Sequence, residues 1–236
     1  MIRLYIKEPL AKNQEISLSE RQSHYIQNVM RLKENDHLLL FNGTDGEWET
    51  CISKVQKKSV ALKILSQTKP QESGSDVWLL FSPLKPKRQE ILEEKATELG
   101  VSCLWPIRCD RTSMPKINLE KMEAHVVEAA EQCGRLSLPA LKPLTSLPDL
   151  LKGWDYSRLL LFGDETLMSP SLGKIEISPQ KSYAFLIGPE GGFTKKELTL
   201  LRSHPQTQGV TLNPHILRAE TAALAGIAYL QINLRP

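Results

Sequence analysis

The sequence predicts a small β-barrel followed by an α/β domain built on a parallel sheet. Three observations predict it. Residues 1–65 hold short β-branched and apolar runs broken by turn residues. Residues 66–75, SQTKPQESGS, hold no apolar side chain except a proline ring. After residue 76, apolar runs alternate with helical stretches. Strands alternating with helices argue a parallel sheet covered on both faces. The polar stretch reads as a linker, which sets the expected domains at 1–70 and 76–236.

In the first domain the strands are RLYI, HLLLFN, WETCISKV and SVALKIL, with Asn-Gly and Asp-Gly turn chemistry in NGTDGE. One helix interrupts them. Ser19 stands three residues before Gln22, a capping-box spacing, and SERQSHYIQNVMR follows from it. Short strands with a single helix suggest a barrel. In the second domain, strand VWLLFS leads to the helix RQEILEEKATELG, whose terminal Gly100 suits a C′ position. Then follow strand CLWPI, the long helix NLEKMEAHVVEAAEQC, strands RLLLF and YAFLI, helix TKKELTLLRSH, strand GVTL and a last helix.

Composition excludes several classes. Of 236 residues, 41% are apolar and 24% charged, as in a water-soluble globular chain. No run approaches the roughly 18 apolar residues of a membrane helix, and MIRLYIKEPLAKNQE has no signal-peptide core. No membrane partner is expected. Cys51, Cys103, Cys109 and Cys133 form no Cys-x-x-Cys pair, so they read as reduced cytosolic thiols and no metal site is expected. The net charge is +3, and residues 1–70 carry all of the excess, 11 Lys and Arg against 8 Asp and Glu. That placement suits a module facing a polyanion, and equally an ordinary solvated surface.

Two stretches carry chemistry. LIGPEGGFTKKE, residues 186–197, ends a buried strand in glycine. Ligands of parallel sheets bind at the carboxyl ends of strands, and glycines there let a ligand approach the backbone. Pro189 stiffens the loop. Thr194 and Glu197 make a second capping box, so a helix starts at once, and its N–H groups could hold a carboxylate or phosphate. The loop is neither a Rossmann fingerprint nor a P-loop; a tight packing turn would use the same glycines. In the second stretch, LNPHILRAETAALAGIAYL, Arg218 and Glu220 stand before a segment, 222–230, without a charge. Such a helix is expected to be buried on every side. Arg218 and Glu220 suit either catalysis or a structural ion pair.

GPEGG followed two dozen residues later by ILRAETA resembles the RsmE family of SPOUT-class methyltransferases. The resemblance spans nearly the whole chain. His24 with VMRLKENDHLLLFNG, then KATELGV and EAAEQCGRLSLP, stand in the family's order. It implies a PUA-like RNA-binding β-barrel, a C-terminal SPOUT α/β domain with a deep trefoil knot, and a homodimer. It also implies S-adenosylmethionine as cofactor, and methylation of N3 of a uridine in 16S ribosomal RNA, free or in the small ribosomal subunit. Carried onto this chain, Ile187, Gly188, Pro189, Glu190, Gly191 and Gly192 form one cofactor loop. Leu212, Asn213, Ile216, Leu217, Arg218, Glu220, Thr221 and Ala222 form a second. Leu161, Phe162 and Gly163 form the third wall. Asn213, His215 and Ala219 replace the family's glycine, arginine and threonine, and Asn35 replaces a turn glycine; asparagine tolerates a left-handed backbone.

The implied reaction must remove the N3 proton of a neutral uracil. A desolvated carboxylate, Glu190 or Glu220, could take it, and Arg218 could neutralise charge on the flanking carbonyl oxygens. A capping role for either glutamate stands beside this. Arg3, His24, Arg31, Lys85, Lys87, Arg88 and Arg135 are the expected RNA contacts. A ribose 2′-O methyltransferase of the same knotted class, or a non-catalytic RNA-binding assembly factor, are the alternatives.

Overall fold

A computed structural model describes residues 1–72, 74–114 and 116–234. The chain divides into two compact units, Met1–Ser73 with Ala130–Leu138, and Gly74–Ala129 with Pro139–Pro236.

The first unit is a five-stranded sheet in the order β1-β3-β4-β5-β2. Its strands are β1 (Arg3–Tyr5), β2 (Glu15–Ser17), β3 (His37–Phe41), β4 (Glu47–Gln56) and β5 (Ser59–Lys69). β1 runs parallel to β3 and the other pairs are antiparallel. Alternating positions, Leu38 and Leu40 on β3 and Leu62 and Ile64 on β5, are fully buried with Ile26 and Ile52. That is the period of a strand with one face on a core. Helix α1 (Glu20–His24) starts at the expected capping box, with Ser19 and Gln22 bonded reciprocally, and runs on as a π-helical turn over Tyr25–Val29. Asn35 has φ 71°, the left-handed turn its side chain tolerates.

Two features depart from the reading of the sequence. β5 continues to Lys69, pairing Ser66, Gln67 and Lys69 with β4, so the start of the polar stretch is strand and not linker. A ladder is made by backbone groups, and needs no apolar side chain where its face meets water. The three-residue strand β2 left no recognisable pattern in the sequence. Within this unit the backbone of 130–138 is held by Arg3, which donates to the carbonyls of Ala130 (2.7 Å), Glu131 (3.1 Å) and Arg135 (3.0 Å).

The second unit is a seven-stranded sheet, every pair parallel, in the order β12-β10-β11-β6-β7-β8, with β9 also on β7. In chain order its elements are β6 (Val77–Phe81), α2 (Pro86–Glu98), β7 (Cys103–Arg108), α3 (Leu119–Cys133), β8 (Ala140–Leu141), β9 (Thr145–Ser146), α4 (Leu147–Lys152), β10 (Arg158–Gly163), β11 (Ser182–Ile187), α5 (Lys195–Ser203), β12 (Thr207–Val210) and α6 (Ala219–Leu234). The near-continuous apolar runs of β6 and β11 are buried on both faces, as a covered parallel sheet requires. Gly100 closes α2 at φ 87°. The short β8, β9 and α4, within a proline-rich stretch, were not foreseen.

Helix α6 corrects the expectation of burial on every side. Ala223, Gly226, Ile227 and Leu230 are buried, and at Gly226 an added Cβ would overlap the Phe185 ring of β11. Thr221 and Ala225 are exposed, and Ile232 is 72% exposed. An uncharged helix can be buried all round, but a single chain covers only the side packed on its own sheet. Among the described residues no helix is long and apolar enough to cross a membrane.

Candidate active site

The parallel register sets the site. Gly163 ends β10 opposite Val210 of β12, and Phe162 lies opposite Leu186 of β11. Three neighbouring strands therefore end level, and the segments that follow them wall one cavity of about 540 Å³. Clefts of roughly 300–1,000 Å³ suit a small-molecule ligand.

The glycine loop is held from several sides. Gly192 N–H donates to Pro189 O at 2.8 Å, closing a four-residue turn, and Gly192 sits at φ 71°. A Cβ there would overlap Glu165 Oε1, which accepts from Phe193 N at 2.8 Å. At Gly188 a Cβ would press into the Phe193 ring. Arg111 Nη1 donates to Gly191 O at 2.7 Å. Next to Gly163, Asp164 is buried and accepts from Ser169 Oγ (2.6 Å), Thr166 Oγ1 (2.6 Å) and Arg202 Nη2 (2.8 Å). Burial opposes its charge, but these donors outweigh burial and hold its pKa below the ordinary value.

At the start of α5 the chain itself takes two of the backbone donors. Thr194 caps Glu197 N, Glu197 Oε2 accepts from Thr194 N at 2.8 Å, and Glu197 Oε1 accepts from Asp110 N at 2.8 Å.

Most of the expected site residues meet at this cavity. Gly163, Ile187 to Gly192, Leu212, Asn213, Ile216, Leu217, Arg218 and Ala222 line it. Leu161 and Phe162 do not: both are fully buried inside β10, because a strand central in a covered sheet turns its side chains into the two packed layers. Glu220 and the exposed Thr221 are also outside the wall. Asn213 keeps a negative φ, and its Oδ1 instead accepts from His215 N at 2.9 Å, a side-chain-closed turn.

The charged groups are arranged around a residue the sequence assigned elsewhere. Arg88, expected at RNA, lines the cavity. Its Nη1 donates to Glu190 Oε1 at 2.8 Å, and its Nε lies 3.7 Å from Glu220 Oε1. Glu220 Oε2 is buried with no hydrogen-bond partner. Ser113 Oγ reaches Glu190 Oε2 at 3.4 Å. Arg218 is exposed, and among the described residues its guanidinium makes no ion pair. Arg111 was missed altogether; its one sequence signal was a positive charge after β7.

The remaining expected RNA contacts separate into two groups. His24 and Arg31 are exposed in the first unit, Arg31 at φ 55°, and Lys85 and Lys87 are exposed at the start of α2. Arg3 is corrected: its side chain is 10% exposed, pairs with Glu47 at 2.6 Å and stacks 4.4 Å from the Phe41 ring centre. Its charge is used to satisfy a buried carboxylate and three carbonyls. Arg135 is half-buried, donates to Ser137 Oγ at 3.4 Å, and burial lowers its pKa to about 10.

Comparison with known proteins fits this geometry. Residues 71–231 match the family model of an RNA methyltransferase domain, and residues 18–65 that of an RNA methyltransferase PUA domain. The ribosomal RNA small subunit methyltransferase E of Rickettsia conorii is 35% identical over 98% of this chain and 95% of its own length. The protein of that name from Buchnera aphidicola (Schizaphis graminum) is 31% identical over 98% and 95%. Among solved structures, ribosomal RNA small subunit methyltransferase E from Neisseria gonorrhoeae, bound to S-adenosylmethionine, superposes with a TM-score of 0.90 at 29% identity, covering 98% of this chain and 97% of that one. With level strand ends, a glycine loop and a cavity where they meet, and with relatives matched over nearly their whole length, the chain belongs to the ribosomal RNA small subunit methyltransferase E family.

Proposed function

We propose that this protein transfers the methyl group of S-adenosylmethionine to N3 of one uridine in 16S ribosomal RNA. The observation that carries the reading is the cavity walled by the segments after β10, β11 and β12, in a chain whose relative was solved with that cofactor bound. The donor set fits: glycine-rich backbone open to close approach, apolar Ile187 and Leu217, and the carboxylate of Glu165 in the wall for a cationic ligand.

The cofactor, when bound, supplies a methyl group already activated on a sulfonium. The chain must take the N3 proton and stabilise the charge left on the base. Glu190 is already engaged by Arg88 at 2.8 Å. Glu220 stands farther from that cation and keeps one oxygen without a partner, which leaves that oxygen as the proton acceptor once the side chain turns toward the cavity. The guanidinium of Arg218, in the wall, can meet the uracil carbonyl oxygens. N3 lies on the pairing edge, so the uridine enters single-stranded or flipped.

The finer architecture belongs to the same reading. The first unit, with residues 1–70 as its body, is a PUA-like barrel that holds RNA, with His24 and Arg31 exposed for phosphates. Residues 76–236 form the SPOUT methyltransferase domain, whose three cavity loops tie a deep trefoil knot, with Lys85 and Lys87 as further phosphate contacts. The protein is a cytoplasmic homodimer joined through α6. Thr221, Ala225 and Ile232 fall within about 40° of one another around that helix, which supports one uncovered face. A monomer by sedimentation equilibrium at micromolar concentration would remove the dimer.

The reaction is tested with labelled S-adenosylmethionine and small ribosomal subunits from a strain lacking the activity, followed by digestion and mass spectrometry of the nucleosides. The expected product is 3-methyluridine. Any other methylated nucleoside discards the uridine assignment, and absence of both transfer and cofactor binding discards the enzyme.

A further inference from the structure

Arg88 lines the large cavity, and the next residue, Gln89, lines a second one of about 150 Å³. The loop after β7 spans the same two spaces, with Arg111 in the first and Met114 in the second. The two cavities are thus neighbours along one surface of the second unit.

The second cavity has a built polar floor. Glu93 of α2 is 1% exposed. Its Oε1 accepts from Gln89 Nε2 at 2.7 Å, and its Oε2 lies 2.6 Å from His125 Nδ1 of α3. Burial pushes the Glu93 carboxyl above its ordinary pKa, with His125 and Gln89 pulling against it. A carboxylate oxygen offers about two acceptor positions, so each oxygen keeps one. Leu84, Pro86 and Met122 give apolar walls, and methionine adapts to a flat ring. Lys116 and Lys121, both exposed, stand at the rim. Glu90, a further carboxylate in the wall, makes the inside unfit for a phosphate and leaves that group to the lysines.

We propose that this second cavity holds a guanine base of the RNA strand next to the target uridine, with N1–H and N2–H donated to the two oxygens of Glu93 and the phosphate met by Lys116 and Lys121. Guanine alone among the four bases presents two adjacent donors on its pairing edge, which is the pattern a fixed carboxylate reads. Single-stranded RNA is recognised through such edges on unstacked bases. The subsite rests on the RNA-methylating reading above. It adds to that reading a reason for strand register: one base fixed by Glu93 sets which neighbour reaches the large cavity.

The test uses the full chain with S-adenosylmethionine saturating, so that added nucleotide is kept from the large cavity. The His125 ring signals are followed by NMR during titration with GMP, AMP, CMP and UMP. GMP is expected to give a saturable shift at a concentration at least about tenfold below the others, in line with one bidentate contact. Glu93→Gln, which keeps size but not two acceptors, is expected to abolish the preference. Lys121→Ala leaves the Glu93–His125 pair intact and is expected to weaken GMP while sparing guanosine. Equal shifts from all four nucleotides, or a GMP preference unchanged in Glu93→Gln with its melting temperature preserved, overturn the subsite. Methyl transfer separates the two proposals. With GMP preference present and no transfer by the wild type, the reaction falls and the subsite stands. With transfer present but no GMP preference, and a KM for RNA unchanged in Glu93→Gln, the subsite falls alone.

Discussion

Arg88 Nη1 stands 2.8 Å from Glu190 Oε1, joining the start of α2 to the glycine loop 102 positions later. The same guanidinium faces Glu220 at 3.7 Å. One arginine therefore sets the field at both carboxylates beside the cavity. Arg88→Ala is expected to lower kcat for methyl transfer by about tenfold or more, since the group that positions both carboxylates beside the cavity is lost. Arg88→Lys is expected to recover only part, because an ammonium lacks the planar fork that reaches two partners. Cofactor affinity by calorimetry should change less than kcat. An unchanged kcat in Arg88→Ala would leave the arginine a structural tie only.

Gly192 is held where a side chain does not belong. Its φ is 71°, and an added Cβ would overlap Glu165. Gly192→Ala meets a left-handed penalty of about 1 kcal/mol and must also displace the carboxylate that fixes Phe193 N. The expected outcome is cofactor binding weakened by about tenfold with the fold retained, measured by calorimetry beside thermal melting. Wild-type affinity in that variant would show that the turn does not shape the cofactor site.

The site was legible where backbone geometry demanded a residue type. Glycine at 188 and 192 is required by close contacts and by a positive φ, and such demands show in a sequence as glycine. Gly163 and Leu212 were named through the family resemblance, and they meet Arg218 because strand ends in one parallel sheet come level. Pairings between distant charges were not legible. Arg88 and Arg3 both read as surface cations, yet each is bound to carboxylates far along the chain, Glu190 and Glu47. Charge alone does not tell a solvated arginine from a paired one. Glu93 and His125 lay unnoticed in two amphipathic helices for the same reason. Helix α6 erred in the other direction, since uncharged residues permit burial without stating how many chains supply it.

Arg3 gives the contrast between packing and RNA contact. It pairs with Glu47, which is 2% exposed in its side chain, and donates to three carbonyls of 130–138. Removing one partner of a buried pair strands the other, at about 3 kcal/mol. Arg3→Ala is expected to lower unfolding stability by that order in urea. In the protein that remains folded, the KM for RNA should stay within twofold of wild type. A raised KM with unchanged stability would return Arg3 to the RNA surface.

Acid should unfold the protein through a few carboxyls held by hydrogen bonds and cations. Burial opposes ionisation of Glu47, Asp76 and Asp164, but their donors outweigh it: Arg3 and Thr68 at Glu47, Arg158 and Ser102 at Asp76, Ser169 and Thr166 at Asp164. All three have folded pKa values below the ordinary range near 4. The unfolded chain therefore binds protons first as pH falls. The stability these groups contribute is complete above about pH 5 and is lost through their folded pKa values. Glu93 has the opposite sign: its raised pKa makes the native state lose stability as pH rises past the ordinary value. Asp164→Asn separates the terms, because an amide keeps the shape and lacks the charge that Arg202 meets. Urea midpoints of wild type and Asp164→Asn are expected to differ at pH 7 and to converge toward pH 2.5. Parallel curves across that range would mean that the Asp164 charge carries none of the acid dependence.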